Sequence, residues 1–184
     1  MDFIVESAKK AKGQDFEKLE VGQANIKVIG CGGAGNNMVS WLYKKGIKGA
    51  EIIACNTDQQ HLNITEADQK FILGADITRG LGCGGFPEKG AEAAQESLAN
   101  IKKCLKGSDM VFVCAGMGGG TGTGAAPVVA DVAKDSGAIV IGTVTMPFKI
   151  ERARIDKAEY GLKEFIHGLL LGLIIGFLIA VFFV

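Results

Sequence analysis

The run Gly118-Gly119-Gly120-Thr121-Gly122-Thr123-Gly124 sets the reading of this 184-residue chain. It follows the apolar run Val111-Phe112-Val113-Cys114 and precedes a stretch with helical character from Ala125 to Asp135. A flexible linker does not lie between a buried strand and an amphipathic helix. Glycines at this junction let backbone N–H groups approach a ligand closely. The run holds no lysine, so it is not a Walker A loop, which requires G-K-[ST]. Phosphates at such a loop are expected to meet main-chain N–H groups, the hydroxyls of Thr121 and Thr123, and the dipole of the following helix.

A second glycine loop lies upstream. Gly30-Cys31-Gly32-Gly33-Ala34-Gly35-Asn36-Asn37 fits G-x-G-x-x-G through Gly30, Gly32 and Gly35. It follows the strand signal Ile26-Lys27-Val28-Ile29 and opens a helix expected over Asn36–Lys45, with Met38, Trp41 and Leu42 on one face. Taken alone, this loop leaves three readings open. One is a nucleoside-phosphate site, one is a tight turn without a ligand, and one is an NAD site with Asp58 on the ribose. A nicotinamide domain has no use for a second loop like Gly118–Gly124, and that weighs against the NAD reading.

Further strands are expected over Glu51–Cys55, Lys70–Leu73, Asp109–Cys114 and Ala138–Val144. Pro87 marks the start of an alanine-rich helix reaching Leu105, and Glu151–Phe165 reads as a helix after Pro147. Strands alternating with helices imply an α/β fold, a Rossmann-like parallel sheet flanked by helices, with ligands at the carboxyl ends of the strands. Trp41 and Phe112 are expected in the core, and the Lys/Glu pattern over 151–164 as a solvated helix face. Residues 1–24 read as a charged helical arm with Phe3, Ile4, Phe16 and Leu19 as anchors.

Composition narrows the classes. The 20 basic and 20 acidic residues cancel, which gives no electrostatic footprint for nucleic acid. Five cysteines without C-x-x-C spacing suit a reduced, cytoplasmic setting. With only His61 and His167 as partners, zinc is not expected, and neither histidine has an evident partner set. The N-terminus shows no secretory apolar region.

The heptapeptide is the signature of the tubulin/FtsZ superfamily, and the rest of residues 25–166 resembles the FtsZ branch. Gly30–Asn37 looks like its first nucleotide loop and Asn56-Thr57-Asp58 like its second. Thr78–Gly85 followed by Pro87 looks like the third, which senses the γ-phosphate. Thr145-Met146-Pro147-Phe148 followed by Glu151 looks like the sugar loop. The resemblance implies a cell-division GTPase that binds GTP or GDP with Mg2+ and assembles with FtsZ-type subunits. By that likeness Gly32, Gly33, Ala34, Gly35, Asn36 and Asn37, together with Gly118 to Gly124, hold the nucleotide. Glu151 bonds the ribose, and Asn56, Asp58 and Gly84 lie in the metal–phosphate region. No residue of this chain is expected to act as the catalytic group.

Two departures from the pattern stand out. The family's glutamate is followed by glycine, with an arginine four residues after the glutamate. Here Arg152 and Ile155 occupy those positions, with Arg154 nearby. The resemblance also fades near Ile166, so the base-reading helix and acidic loop of the family have no counterpart in these 184 residues. GTP hydrolysis is then expected only with a partner subunit supplying the acidic loop, and a relic that binds nothing is the alternative. Residues 167–184 are an apolar tail with glycines at 168, 172 and 176. That tail reads as an apolar helix anchoring the protein in a membrane, as a strand-and-helix replacement packed into the core, or as the product of a frameshift or truncation.

Overall fold

The computed structural model describes residues 24–170 and 178–183, so the expected arm over residues 1–24 lies, apart from Ala24, outside the described residues. Six strands run β1 (Ile26–Cys31), β2 (Ala50–Asn56), β3 (Gln69–Ile72), β4 (Met110–Gly116), β5 (Ile139–Met146) and β6 (Leu178–Phe183). All pair in parallel, in the order β3-β2-β1-β4-β5-β6. The chain winds outward from β1 to β3, then restarts beside β1 with β4 and winds the other way. The loops after β1 and β4 therefore diverge, and a crevice opens at the carboxyl ends of these two neighbours.

The helices are α1 (Gly32–Lys44), α2 (Gln59–Ile64), α3 (Ala75–Thr78), α4 (Pro87–Glu96), α5 (Leu98–Leu105), α6 (Thr121–Asp135) and α7 (Ile155–Leu170), with a 3-10 turn over Lys149–Arg154. The main core lies between one face of the sheet and α4 to α7, around Ile29, Ile53, Val111, Val113, Val129, Val144 and Phe165. A smaller cluster, with Val28, Val39, Ile52 and Leu62, lies under α1 and α2 on the other face. A central parallel strand must be apolar on both faces, and five of the six residues of β1 are buried.

Several sequence expectations are corrected. The helix expected from Pro87 to Leu105 breaks at Ser97, whose hydroxyl accepts from the N–H of Gly74 at 2.9 Å, so the chain turns there. Helix α6 begins at Thr121 rather than Ala125, because the N–H of Gly124 already closes a turn on the carbonyl of Gly120 at 3.0 Å. Trp41 is 60 % exposed and Phe112 only half-buried, because α1 covers only part of its sheet face. Lys157 is not a solvated side chain: its ammonium donates to the carbonyl of Gly85 at 2.7 Å and lies 5.5 Å from the Phe86 ring. The apolar tail is not one helix, since α7 ends at Leu170 and Leu178–Phe183 pair in parallel with Ile141–Met146 of β5. Among the described residues no helix is long and apolar enough to cross a membrane.

Candidate nucleotide site

A cleft of about 460 Å3 opens at the carboxyl ends of β1, β4 and β5. Three segments wall it: Gly33 and Ala34 from the start of α1, Gly116, Met117 and Gly119 to Gly122 between β4 and the start of α6, and Thr145 to Phe148 with Glu151 and Arg154 beyond. Two helices, α1 and α6, thus begin at one cavity. Each directs unpaired N–H groups and about half a positive charge from its dipole toward the space between them.

Close backbone packing explains the glycines. A Cβ on Gly32, whose φ is +72°, would lie 2.7 Å from the nitrogen of Gly122, so the two loops touch there. A Cβ on Gly122 would lie 2.6 Å from the carbonyl oxygen of Gly116. Gly33 and Gly119, by contrast, are exposed, and their absent side chains leave open space at the cleft.

The threonine hydroxyls tie the loops together, and Thr121 also lines the cleft. Thr123 is 1 % exposed, and its hydroxyl accepts from the N–H of Gly118 at 2.9 Å. The hydroxyls of Thr121 and Thr57 lie 2.7 Å apart, tying the loop to the end of β2. Cys83, from the loop before α4, donates to Thr57 at 3.3 Å and seats a third loop under the first two. Replacing Thr123 by valine leaves the N–H of Gly118 without its acceptor. A loss of about 1–2 kcal/mol of stability is expected, read by denaturant unfolding.

The other sequence-predicted residues are dispersed. Asn36 is fully buried, and with its amide oriented to suit its neighbours the nitrogen donates to the carbonyls of Gly30 at 2.9 Å and Cys55 at 3.1 Å, pinning α1 across β1 and β2. Asn37 faces a groove on the side of the sheet, away from the cleft. Asn56 accepts from the N–H of Thr57 at 2.9 Å, and Asp58 caps α2 by accepting from the N–H of His61 at 3.1 Å. Gly84 is exposed, with a left-handed backbone. Gly35 and Gly124 are buried at helix contacts, against Cys114 and Pro87. Gly33, Ala34, Gly119, Gly120, Thr121, Gly122 and Glu151 line the cleft. Gly116 and Met117 also line it and went unread, because the end of β4 looks like ordinary apolar strand.

Glu151 and Arg154 are the charged groups on the cleft wall. The carboxylate accepts from the N–H of Phe148 at 3.1 Å and pairs with the Arg154 guanidinium at 3.0 Å. Of the two arginines near the position where the family arginine is absent, Arg154 is therefore the one at the site. A carboxylate offers about four acceptor positions, so Glu151 keeps acceptor capacity toward the cleft beyond these two contacts.

Beneath the cleft, Cys31 and Cys55 face each other across β1 and β2, with sulfurs 3.6 Å apart. The five cysteines are all free thiols. Contact with Cys55, then burial, raises Cys31 well above the ordinary thiol value. Burial first, then Cys31, pushes Cys114 from 9.0 to about 12. The folded state thus holds the Cys114 proton more tightly than the unfolded chain does. Its contribution is complete below about pH 9 and is lost as pH rises toward 12, by at most about 1.4 kcal/mol per pH unit. A melting-temperature series from pH 8 upward should show that decline, and Cys114→Ala should flatten it.

Comparison with known proteins agrees with this architecture. The family model described as "Tubulin/FtsZ family, GTPase domain" matches residues 25–169. The chain is 55 % identical over 162 residues to cell division protein FtsZ 2 of Methanocaldococcus jannaschii, covering 88 % of this chain and 43 % of the relative. An empty FtsZ dimer from M. jannaschii superposes with a TM-score of 0.78 at 44 % identity, over 90 % of this chain and 46 % of that one. A GTPγS-bound protofilament of CetZ2 from Haloferax volcanii superposes with a TM-score of 0.73 at 25 % identity, over 85 % and 49 %. The chain spans less than half the length of these relatives.

Proposed function

Because the chain belongs to the tubulin/FtsZ family through its GTPase domain, we propose that its cleft binds GTP or GDP and that it serves as the nucleotide-carrying part of an FtsZ-type cell-division subunit. The observation that carries this reading is the convergence of two helix N-termini, α1 and α6, on one cavity whose walls hold no lysine. Main-chain N–H groups and helix dipoles favour an anion there. The phosphates fit beside Gly33, Ala34 and Gly119 to Gly122, and the ribose beside Glu151. Mg2+ would travel with the nucleotide. Among the described residues no three His, Cys, Asp or Glu side chains converge as a metal site, so the phosphates and water would be its main ligands.

Binding and hydrolysis separate in this reading. The carboxylate lining the cleft, Glu151, is paired with Arg154 and is not free to activate water. Hydrolysis then needs an acidic group brought by another segment, such as an FtsZ-type subunit docked on the nucleotide. The relatives named as a dimer and as a protofilament make such a partner the natural one. Free, buried thiols are in keeping with a reducing cytoplasm. The purified 184-residue chain is expected to bind GTP and to turn it over no faster than the uncatalysed background. Sustained phosphate release by the chain alone would contradict this division of labour.

Glu151→Gln separates ribose recognition from phosphate binding. Loss of the charged acceptor is expected to cost about 1–2 kcal/mol of GTP affinity, roughly tenfold. The deficit should shrink severalfold when the ligand lacks its ribose hydroxyls. An equal deficit for both ligands would place the sugar elsewhere.

A further inference from the structure

No partner set for His61 is visible in the sequence, but the fold supplies one on the Nδ1 side of its ring. Asn56 ends β2, and its side-chain oxygen accepts from the N–H groups of Thr57 at 2.9 Å and Asp58 at 3.3 Å. Those two donors fix which end of the amide is oxygen. The amide nitrogen therefore faces the Asn36 oxygen at 3.3 Å and the His61 Nδ1 at 3.4 Å. An amide nitrogen only donates, so Nδ1 is the acceptor and the ring proton sits on Nε2. Asn36 is itself held by the carbonyls of Gly30 and Cys55, so a polar relay rooted in β1 and β2 orients the imidazole. Asp58 turns to the backbone and accepts from the main-chain N–H of His61. The half-buried ring thus carries an oriented Nε2–H donor, and among the described residues no protein group accepts from it.

That donor stands at the α1 end of the nucleotide cleft. Nε2 lies 3.9 Å from where a Cβ on Gly33 would be, and Gly33 lines the cleft. Strand order gives the direction. His61 follows β2 and Glu151 follows β5, with β1 and β4 between them. At about 4.8 Å per neighbouring pair, roughly 14 Å separates β2 from β5. With the ribose beside Glu151, the phosphate chain runs past the starts of α6 and α1 toward His61, and its last phosphate comes nearest the imidazole. We propose that the Nε2–H of His61 donates to the terminal phosphate of bound GTP and so favours the triphosphate over the diphosphate. The inference rests on the nucleotide reading of the cleft. A hydrogen bond from an oriented donor to a charged phosphate is worth about tenfold or more in affinity.

His61 and His167 are the two histidines of the chain, so nitrogen-isotope labelling of histidine in the 184-residue protein gives two ring systems, assigned with His167→Gln. Before nucleotide is added, the His61 ring should show Nε2 as the protonated nitrogen and Nδ1 as the bare one. Saturating GTP with Mg2+ should move the His61 Nε2–H signal and leave His167 in place, whereas GDP should leave both rings near their starting positions. His61→Phe keeps a planar ring and removes the donor. It should weaken GTP about tenfold and change GDP by less than about twofold. GTP that binds without moving the His61 ring would overturn the inference and leave the cleft reading standing. An equal loss of GTP and GDP in His61→Phe would do the same. If neither nucleotide binds the unmodified protein, the cleft reading fails and this inference falls with it.

Discussion

Gly33→Asp should lower GTP and GDP affinity by at least about 100-fold while leaving the melting temperature nearly unchanged. Gly33 is exposed at the first turn of α1 and lines the cleft. A side chain there has room, because the one atom within 4 Å of a built Cβ is the His61 Nε2 at 3.9 Å. A carboxylate in the first helical turn also suits the dipole, which protects the fold. The same carboxylate would stand where the proposed site takes an anionic phosphate. Two like charges about 4 Å apart repel by roughly 4 kcal/mol in a partly screened setting, more than enough for a 100-fold loss. Titration with a fluorescent guanine nucleotide, beside a thermal melt, measures both effects. Unchanged affinity would mean that the phosphates do not sit at the start of α1.

The second large effect is on stability. Gly124→Ala should destabilise the protein by roughly 3–5 kcal/mol, and lower its melting point by about 10 °C. Gly124 is buried on α6 where that helix meets α4. A Cβ there overlaps the carbonyl oxygen of Pro87 and lies 2.6 Å from the nitrogen of Ala91. Both are backbone atoms, so no rotamer change relieves the contact and the helices must separate. Overpacking of this kind ordinarily costs about 1–3 kcal/mol, and the rigid partner puts this site above that range. Thermal unfolding of the nucleotide-free protein reads the effect. A loss below about 1 kcal/mol would show that α4 yields easily.

Legibility of the sequence divides along physical lines. The parallel sheet was readable because buried strands such as Ile26–Ile29 and Val111–Cys114 are continuous apolar runs, and because each glycine loop falls just after one. The cleft was readable to the extent that its walls are backbone, since glycine runs announce close backbone approach. Side-chain roles were less legible. Thr121 and Thr123 look alike as ligand hydroxyls in sequence; in the fold Thr121 lines the cleft with its hydroxyl beside that of Thr57, while Thr123 is buried against the N–H of Gly118. Asn36 carries no signal that its amide bridges two strands from inside. Trp41 looked like core because a one-dimensional helical stripe does not reveal how much of the sheet face a single helix covers. For the run Leu178–Phe183 the sequence leaves a membrane helix and a strand-and-helix replacement packed into the core both open. An unbroken apolar segment carries no period that separates helix from buried strand, and here it pairs with the open edge of β5.

The most direct test of the account is calorimetric titration of the 184-residue protein with GTP and GDP in the presence of Mg2+. Both should bind saturably at one site, each displacing the other, and Gly33→Asp should weaken both by at least about 100-fold. NADH should neither bind nor compete. Absence of any binding at millimolar GTP, or NADH binding that GTP does not displace, would contradict it.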